Sequence, residues 1–196
     1  MTDTVLTPER ILDAAEEVLR RYGPSKATVV DVARALRVSH GSVYRYFPSK
    51  AALRDAVTER WLAGVSDPLE GIAKGQEPAP VRLRRWFDLL ISTKHKRALD
   101  DPELFANYLE LVAEAREVVK AHVDILVEQL TQIISDGVAR GEFSVSDPAR
   151  AARAAFDATV RFHNPVYATQ WSDPAIDSAF EAVWEFILLG LGADPS

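Results

Sequence analysis

The sequence predicts an all-α protein of about nine helices, a three-helix N-terminal headpiece followed by a larger helical domain. Three observations carry that expectation. Apolar residues recur at helical spacing along nearly the whole chain, and no stretch alternates as a half-buried strand would. Helix starts are marked by a capping residue followed by proline, at Thr7-Pro8, Asp101-Pro102, Asp147-Pro148 and Asp173-Pro174. There the side-chain oxygen satisfies one orphan amide and the proline removes another. Thr28–Lys50 then reads as two short capped helices joined by a tight turn, with a third beginning directly after.

The first predicted helix opens at Thr7-Pro8, carries the stripe Ile11, Leu12, Ala15, Val18, Leu19 and Tyr22, and ends at Gly23-Pro24. Thr28 can cap the next, with Asp31 at its third helical position returning a hydrogen bond to the backbone, a variant of the capping box. Val32, Ala33 and Leu36 fall on one face. After the turn Arg37-Val38, Ser39 caps a second short helix whose buried side holds Val43 and Phe47. His40, Gly41, Ser42, Tyr44, Arg45 and Tyr46 are left to point outward, Pro48 stops the helix and Ser49 caps the one that follows. An exposed helix start of this composition suits a DNA major groove, about 12 Å wide and lined with base-edge donors and acceptors. The plainer alternative is a solvated helical hairpin in an all-α protein.

Thr28, the A-x-x-L-x-V-S of Ala33 to Ser39, the run Val43-Tyr44-Arg45-Tyr46-Phe47 and the closing Lys50 closely resemble the DNA-binding region of the tetracycline-repressor (TetR) family of bacterial transcription regulators. The resemblance covers about residues 8–55. The family's G-x-x-Y-x-Y-F followed by x-x-K corresponds here to Gly41–Phe47 and Lys50. One position departs: the turn residue before Val38, often Gly in the family, is Arg37, which puts strain into a backbone that calls for positive φ. The resemblance implies an insertion of the helix from His40 to Phe47 into the major groove. Tyr44, Tyr46, Thr28 and Lys50 are expected mainly at phosphates, His40, Ser42 and Arg45 at base edges, with Gly41 letting the backbone come close and Ser39 completing the set.

Charge is distributed in keeping with that reading. The chain carries a net −6, yet Arg20–Arg54 holds eight Lys or Arg against the single acid Asp31, a local +7 that leaves −13 on the rest. A basic face on an acidic body is the footprint of a modular DNA binder, while the overall −6 argues against a protein that coats nucleic acid non-specifically. The absence of cysteine excludes a disulfide framework and a thiolate metal site. The opening MTDTVLTPER has no basic-then-apolar pattern and no apolar run is long enough to span a bilayer, so a cytoplasmic setting is expected.

The headpiece is expected to occupy residues 1–48 and the second domain 49–196. From Lys50 a helix should run to about Ser66, with Leu53, Ala56, Val57, Trp61 and Val65 on one side. Residues 67–80, with three Pro and two Gly, read as a loop. The segment from Val81 to about Leu99 is apolar on more than one face and should lie centrally. Helices are expected over 102–114 and about 116–140, the latter stopping at Gly141 with Arg140 near its C-terminus. The last two, about 148–164 and 174–191, carry a small-residue face and a broad apolar stripe; paired with a second copy they would form a four-helix bundle. In the family resembled this is the dimer interface, for which Ala152, Ala155, Phe156, Thr159, Phe180, Val183, Trp184 and Ile187 are the candidates. The alternative is a purely internal core.

The resemblance also implies a small-molecule effector that releases the protein from a palindromic operator. Candidate pocket residues are Trp86, Phe87, Leu90, Phe105, Tyr108, Leu109, His122, Leu126, Phe162, His163 and Tyr167, which combine aromatic bulk with a few polar tips. Each aromatic is also an ordinary core residue by its spacing, and His122 is equally a satisfied core histidine. The basic run KHKR at 94–97 reads as a solvated face. No carboxylate pairs with a histidine at metal-ligand spacing, no Gly-rich loop cradles a phosphate and no serine elbow is present, so neither a cofactor nor an enzymatic role is expected. The rivals to a dimeric, ligand-responsive regulator are a helical enzyme or carrier with no DNA role, and a regulator whose pocket is filled by its own side chains.

Overall fold

The computed structural model describes residues 5–193. They form α1 (Pro8–Lys26), α2 (Val29–Leu36), α3 (His40–Tyr44), α4 (Lys50–Ala73), α5 (Ala79–Asp100), α6 (Pro102–Glu114), α7 (Arg116–Ala139), α8 (Pro148–Ala158), α9 (Val160–His163) and α10 (Ile176–Gly190), with a 3₁₀ segment at Pro165–Gln170. No strand occurs among the described residues. The chain divides into two compact units. One runs to Leu62 and includes Asp101–Lys120; the other holds Ala63–Asp100 and the chain from Ala121 onward.

In the first unit the apolar face of α1 (Ile11, Ala15, Val18, Leu19) closes over Val29, Val32 and Ala33 of α2, Val43 of α3 and Leu53 and Val57 of α4, with Tyr108 and Leu111 of α6 completing the core. Gly23 takes φ 74°, ψ 162°, which breaks α1 ahead of Pro24 where the sequence called for an end. Tyr108 stacks on Trp61 at 4.3 Å, and Asn107 Nδ2 donates to Leu19 O at 3.4 Å. Arg60 clamps α1 through Glu16 and Asp13, both at 2.8 Å.

The second unit is built around α5. Leu83, Trp86, Phe87 and Leu90 are fully buried, against Leu126, Leu130, Ile133 and Ile134 of α7 and Phe180, Trp184 and Leu188 of α10. Each such side chain taken from water contributes about 1.5–3 kcal/mol. Arg82, also fully buried, donates to Ala73 O at 2.8 Å and to Asp136 Oδ2 at 3.0 Å. A cation thereby closes the C-terminal end of α4, where free carbonyls attract positive charge. Gly137 of α7 is required by space: a Cβ there would lie 2.3 Å from Phe143 and 2.8 Å from Ala79.

Several boundaries differ from the sequence reading. α3 ends at Tyr44, short of the expected Phe47, because Tyr46 N and Phe47 N both turn back to Val43 O. Residues 67–73 continue α4 instead of forming a loop. Val65, Leu69 and Ala73 make one buried stripe through Pro68, so burial outweighs the lost hydrogen bond of that proline. The expected helix over 148–164 breaks at Thr159, whose hydroxyl donates back to Ala155 O and Phe156 O, both at 3.0 Å, and loosens the turn. Asp101 and Asp147 cap α6 and α8 as expected. Asp173 instead accepts from Ala175 N at 2.9 Å in a local turn, and the last helix starts only at Ile176.

Candidate functional site

The basic headpiece face is organised by two caps. Thr28 Oγ1 accepts from Asp31 N at 3.2 Å while Asp31 Oδ2 accepts from Thr28 N at 3.2 Å, a complete capping box. The Thr28 hydroxyl also donates to Asp31 at 2.5 Å and holds that carboxyl below the usual range. Arg34 pairs with the same carboxylate at 2.8 Å, so the one acid of the region is committed inside α2. α2 ends with Arg37 in the left-handed conformation, φ 57°, ψ 39°, and Val38 N donates to Ala33 O at 3.0 Å. This is the strained turn that the departure from glycine implied.

Ser39 then caps α3, accepting from Ser42 N at 3.1 Å. Val43, fully buried, is the anchor that fixes the helix on the core, with Phe47 half-buried beyond it. His40, Gly41, Tyr44, Arg45, Tyr46, Ser39, Thr28 and Lys50 are all exposed and Ser42 half-exposed, so the structure brings the whole sequence-predicted set to one headpiece. Two of them have local duties. The Ser42 hydroxyl lies 2.9 Å from that of Ser39, and the Tyr46 hydroxyl donates to Leu6 O at 2.7 Å. His40 and Tyr44 meet edge to face, their ring centroids 6.3 Å apart. At Gly41 a Cβ would meet nothing closer than the Ser39 hydroxyl at 3.8 Å, so no contact within the chain excludes a side chain there.

The predicted pocket residues are distributed differently. Trp86, Phe87, Leu90, His122, Leu126, Phe162 and His163 all belong to the second unit and are buried, with Tyr167 half-buried. Phe105 and Tyr108 are buried in the first unit. Trp86 Nε1 donates to Gln129 Oε1 at 2.9 Å, and Gln129 Nε2 donates to Ser66 O at 3.1 Å, so this polar bridge is satisfied. His163 packs against Phe156 with its ring tilted, the centroids 4.6 Å apart, and its Nε2 lies 3.3 Å from the Thr159 hydroxyl. His122 Nε2 is buried and has no hydrogen-bond partner among the described residues. Burial lowers both rings, His122 to about 3, helped by the charges of Lys94 and Arg97, and His163 to about 4 against a raising hydrogen bond to Phe156 O.

Of the residues weighed for a dimer interface, Ala152, Ala155, Phe156, Thr159, Phe180, Trp184 and Ile187 are buried inside the subunit, and Val183 is half-buried. The large apolar side chains that α10 leaves in solvent are Phe186 and Leu189, 73% and 61% exposed. Ala182 lies beside them, and α8 exposes Ala154 and Ala158. Among the described residues no group of three or more His, Asp or Glu is arranged to hold a metal ion, and no helix is long and apolar enough to cross a membrane.

Comparison with known proteins matches residues 11–57 to the model of bacterial regulatory proteins of the tetR family, and residues 79–184 to the tetracyclin repressor-like C-terminal domain. The chain belongs to the TetR family. Its members are helix-turn-helix transcriptional regulators. Among relatives, the fatty acid metabolism regulator of Bacillus subtilis is 24% identical over 77% of this chain and 78% of its own. The regulator YvdT of the same organism is 36% identical over 45% of this chain, and there the match spans about half of the relative's length, 46%. The structure of SmeT, repressor of a Stenotrophomonas maltophilia multidrug efflux pump, superposes with a TM-score of 0.66 at 20% identity, covering 96% of this chain and 91% of that one. Bacillus subtilis FadR, solved with stearoyl-CoA, gives 0.62 at 20% identity, covering 94% and 99%. Identities this low speak for the fold.

Within this TetR-family body the residue that sequence reasoning missed is Lys94. The run KHKR was expected on a solvated face, but Lys94 is only 6% exposed, and His95 is half-buried, stacked on Trp171 at 4.5 Å with its Nε2 2.9 Å from Phe162 O. The signal was present: Leu83, Trp86, Phe87, Leu90 and Lys94 continue one helical stripe, and a stripe fixes facing more firmly than a short charge run does.

Proposed function

We propose that this chain is a homodimeric repressor that binds a palindromic operator and leaves it when a small molecule enters the helical body. The observation that carries the reading is α3: a short, side-chain-capped helix held by the one buried side chain Val43, with His40, Tyr44 and Arg45 turned outward. In this reading residues 1–48 are the DNA-binding domain and 49–196 the effector-binding and dimerisation domain. Arg45, His40 and Ser42 read base edges, while Thr28, Tyr44 and Lys50 hold phosphates. Tyr46 joins them by exchanging its bond to Leu6 O for one to phosphate. Ser39 fixes the helix start, and Gly41 lets the groove wall approach. Two such helices one turn of DNA apart, about 34 Å, require a dimer. The outward face of α10 around Phe186 and Leu189, with Ala154 and Ala158 of α8, supplies the apolar surface for it, supported from beneath by Phe180, Trp184 and Ile187. The buried aromatics Trp86, Phe87, Leu90, Leu126 and Phe162 wall the effector site, with Tyr167 at its edge. SmeT has been solved with triclosan and FadR with stearoyl-CoA, which supports a body of this fold opening around an apolar guest. The role is regulatory, without an enzymatic step, and its setting is the cytoplasm.

The test is binding of the purified protein to the DNA flanking its own gene across a salt series. A short palindrome bound tightly over competitor DNA, with affinity falling steeply as salt rises, is the expected result. Arg45→Ala should weaken it by about 1–3 kcal/mol and relax preference at one base pair in each half-site. Binding no stronger than to random DNA, or an Arg45→Ala variant indistinguishable from the parent, would overturn the reading.

A further inference from the structure

The turn between α2 and α3 carries a cost that the fold itself does not require. Arg37 takes φ 57°, ψ 39°, and among the described residues it is the one non-glycine residue with positive φ. Crowding of the Cβ makes that conformation unfavourable for an L-residue, and glycine escapes it. A strained non-glycine residue persists where its surroundings over-determine it or where the strain serves a function. The surroundings do not hold Arg37. Its backbone N–H bonds to Ala33 O and Arg34 O would form equally with glycine, and its exposed guanidinium has no hydrogen bond or ion pair among the described residues. Several neighbouring cations, by contrast, are committed. Arg20, Arg34 and Arg54 pair with Glu17, Asp31 and Glu114, and Arg21 lies over the Tyr22 ring. Arg37 stands with Arg45 and Lys50 among the uncommitted charges of the headpiece.

We propose that Arg37 is a further operator contact, its guanidinium donating to a backbone phosphate at the rim of the major groove beside the start of α3. The inference rests on the operator reading above and adds a residue to it. Arg37 precedes the Ser39 cap by two positions, so it lies just outside the end of α3 that enters the groove. A helix with its side chains is about 10–12 Å across and the groove about 12 Å wide. A seated α3 therefore fills the groove, and the turn that flanks it comes against the phosphate rim. His40 and Ser42 lie within α3 and face the groove floor in that reading; Arg37 lies before the cap and stays at the backbone. A planar guanidinium grips two phosphate oxygens at once through charge-assisted bonds, fixing register without reading sequence. That contact offsets in the complex the strain kept in the free chain. Glycine at this position would relax the turn and forfeit the contact, so stability and operator affinity move in opposite directions.

The experiment measures Kd of the full-length parent, Arg37→Gly, Arg37→Ala and Arg37→Lys over a salt series, on the operator and on an unrelated duplex of the same length, with urea midpoints of the same proteins. Each phosphate contact contributes about 0.9 to the slope of log affinity against log salt, so losing one per subunit should lower the slope of the dimer by about 2. Arg37→Gly and Arg37→Ala should both show that loss on both duplexes, with operator affinity about tenfold weaker at low salt and the gap closing as salt rises. Arg37→Gly should raise the urea midpoint, while Arg37→Ala, which keeps a Cβ in the left-handed turn, should not; a binding loss shared by the two is then no effect of stability. Arg37→Lys should keep the slope, and base preference should be the same in all four proteins. Slopes and affinities equal to the parent's in both the Gly and the Ala variant would overturn the inference. So would an altered base preference with an unaltered slope, which would move Arg37 to a base edge. Because a phosphate contact is blind to sequence, the unrelated duplex separates the two readings. A parent that never prefers the operator sinks the operator reading, and the slope on the unrelated duplex still decides Arg37.

Discussion

His40, Tyr44 and Arg45 stand on a helix whose inner face is the single buried side chain Val43, whereas Lys94, His122 and His163 are themselves part of the inner face of theirs. In the headpiece the polar chemistry faces water, where it costs little to keep and is available to a partner. In the body it has been taken out of water, where each group must find a partner or be held neutral. The same kinds of side chain thus contribute oppositely to stability. Headpiece residues can be exchanged with small effect on folding and large effect on binding, and body residues carry the reverse expectation.

That contrast can be broken or sharpened by measurement. The largest effect should come from acid. His122 and His163 stay neutral in the folded chain down to about 3 and 4, whereas in the unfolded chain such rings take up protons below about 6.5. Stability present above that value is therefore lost as pH falls from about 6.5 toward 4, on the order of 1 kcal/mol per pH unit for each ring. Urea midpoints across that window should show the decline, and His122→Leu should both flatten it and raise stability at neutral pH. A flat profile would mean that the interior solvates these rings after all.

Next in size is Asp136→Ala, which leaves the guanidinium of the fully buried Arg82 with only the Ala73 carbonyl among the partners seen here. Breaking a buried pair from one side costs about 3–5 kcal/mol, and the partial exposure of Asp136 argues for the lower end. Chemical denaturation would read it, and a loss under about 1 kcal/mol would show that water replaces the carboxylate.

Gly41→Ala makes the opposite test in the headpiece. With open space around the position and ordinary helical backbone, alanine should hold or raise stability by up to about 1 kcal/mol. Operator affinity should nevertheless fall at least about tenfold, which is about 1.4 kcal/mol, if the backbone lies against the groove wall. Unchanged binding would move the close approach elsewhere on α3. The smallest effect belongs to Arg37→Gly. Relief of the left-handed backbone should add about 1 kcal/mol in thermal or urea unfolding, and a neutral result would mean that the arginine side chain offsets its own strain.

How much of this was legible in the sequence follows the same division. The capping box of Thr28 and Asp31, the Ser39 cap, the Val43 anchor and the Arg37 turn are local, each decided by residues within four positions, and all are present in the structure. The continuation of α4 through Pro68 was not legible, because the burial of Leu69 and Ala73 that overrides the proline comes from partners distant in sequence. The break at Thr159 needed knowledge of which way one hydroxyl turns. The cluster of Lys94, His122 and His163 is the strongest case. Its members are separated by 28 and 41 positions in sequence and come to share one interior only through the packing of α5, α7 and α9. Helical spacing pointed His122 inward, His163 was marked only by the helix break at Asn164-Pro165, and the charge run around Lys94 concealed the third.

The bridge from Trp86 through Gln129 to the Ser66 carbonyl has an optical consequence. An indole with no solvent exposure, its N–H committed to an amide in an apolar, close-packed site, emits at short wavelength and is shielded from aqueous quenchers. Trp86 is thus a built-in lamp at the centre of the helical body. A guest entering between α5 and α7 must disturb its neighbours and shift its colour, so occupancy can be followed without attaching any label to the chain.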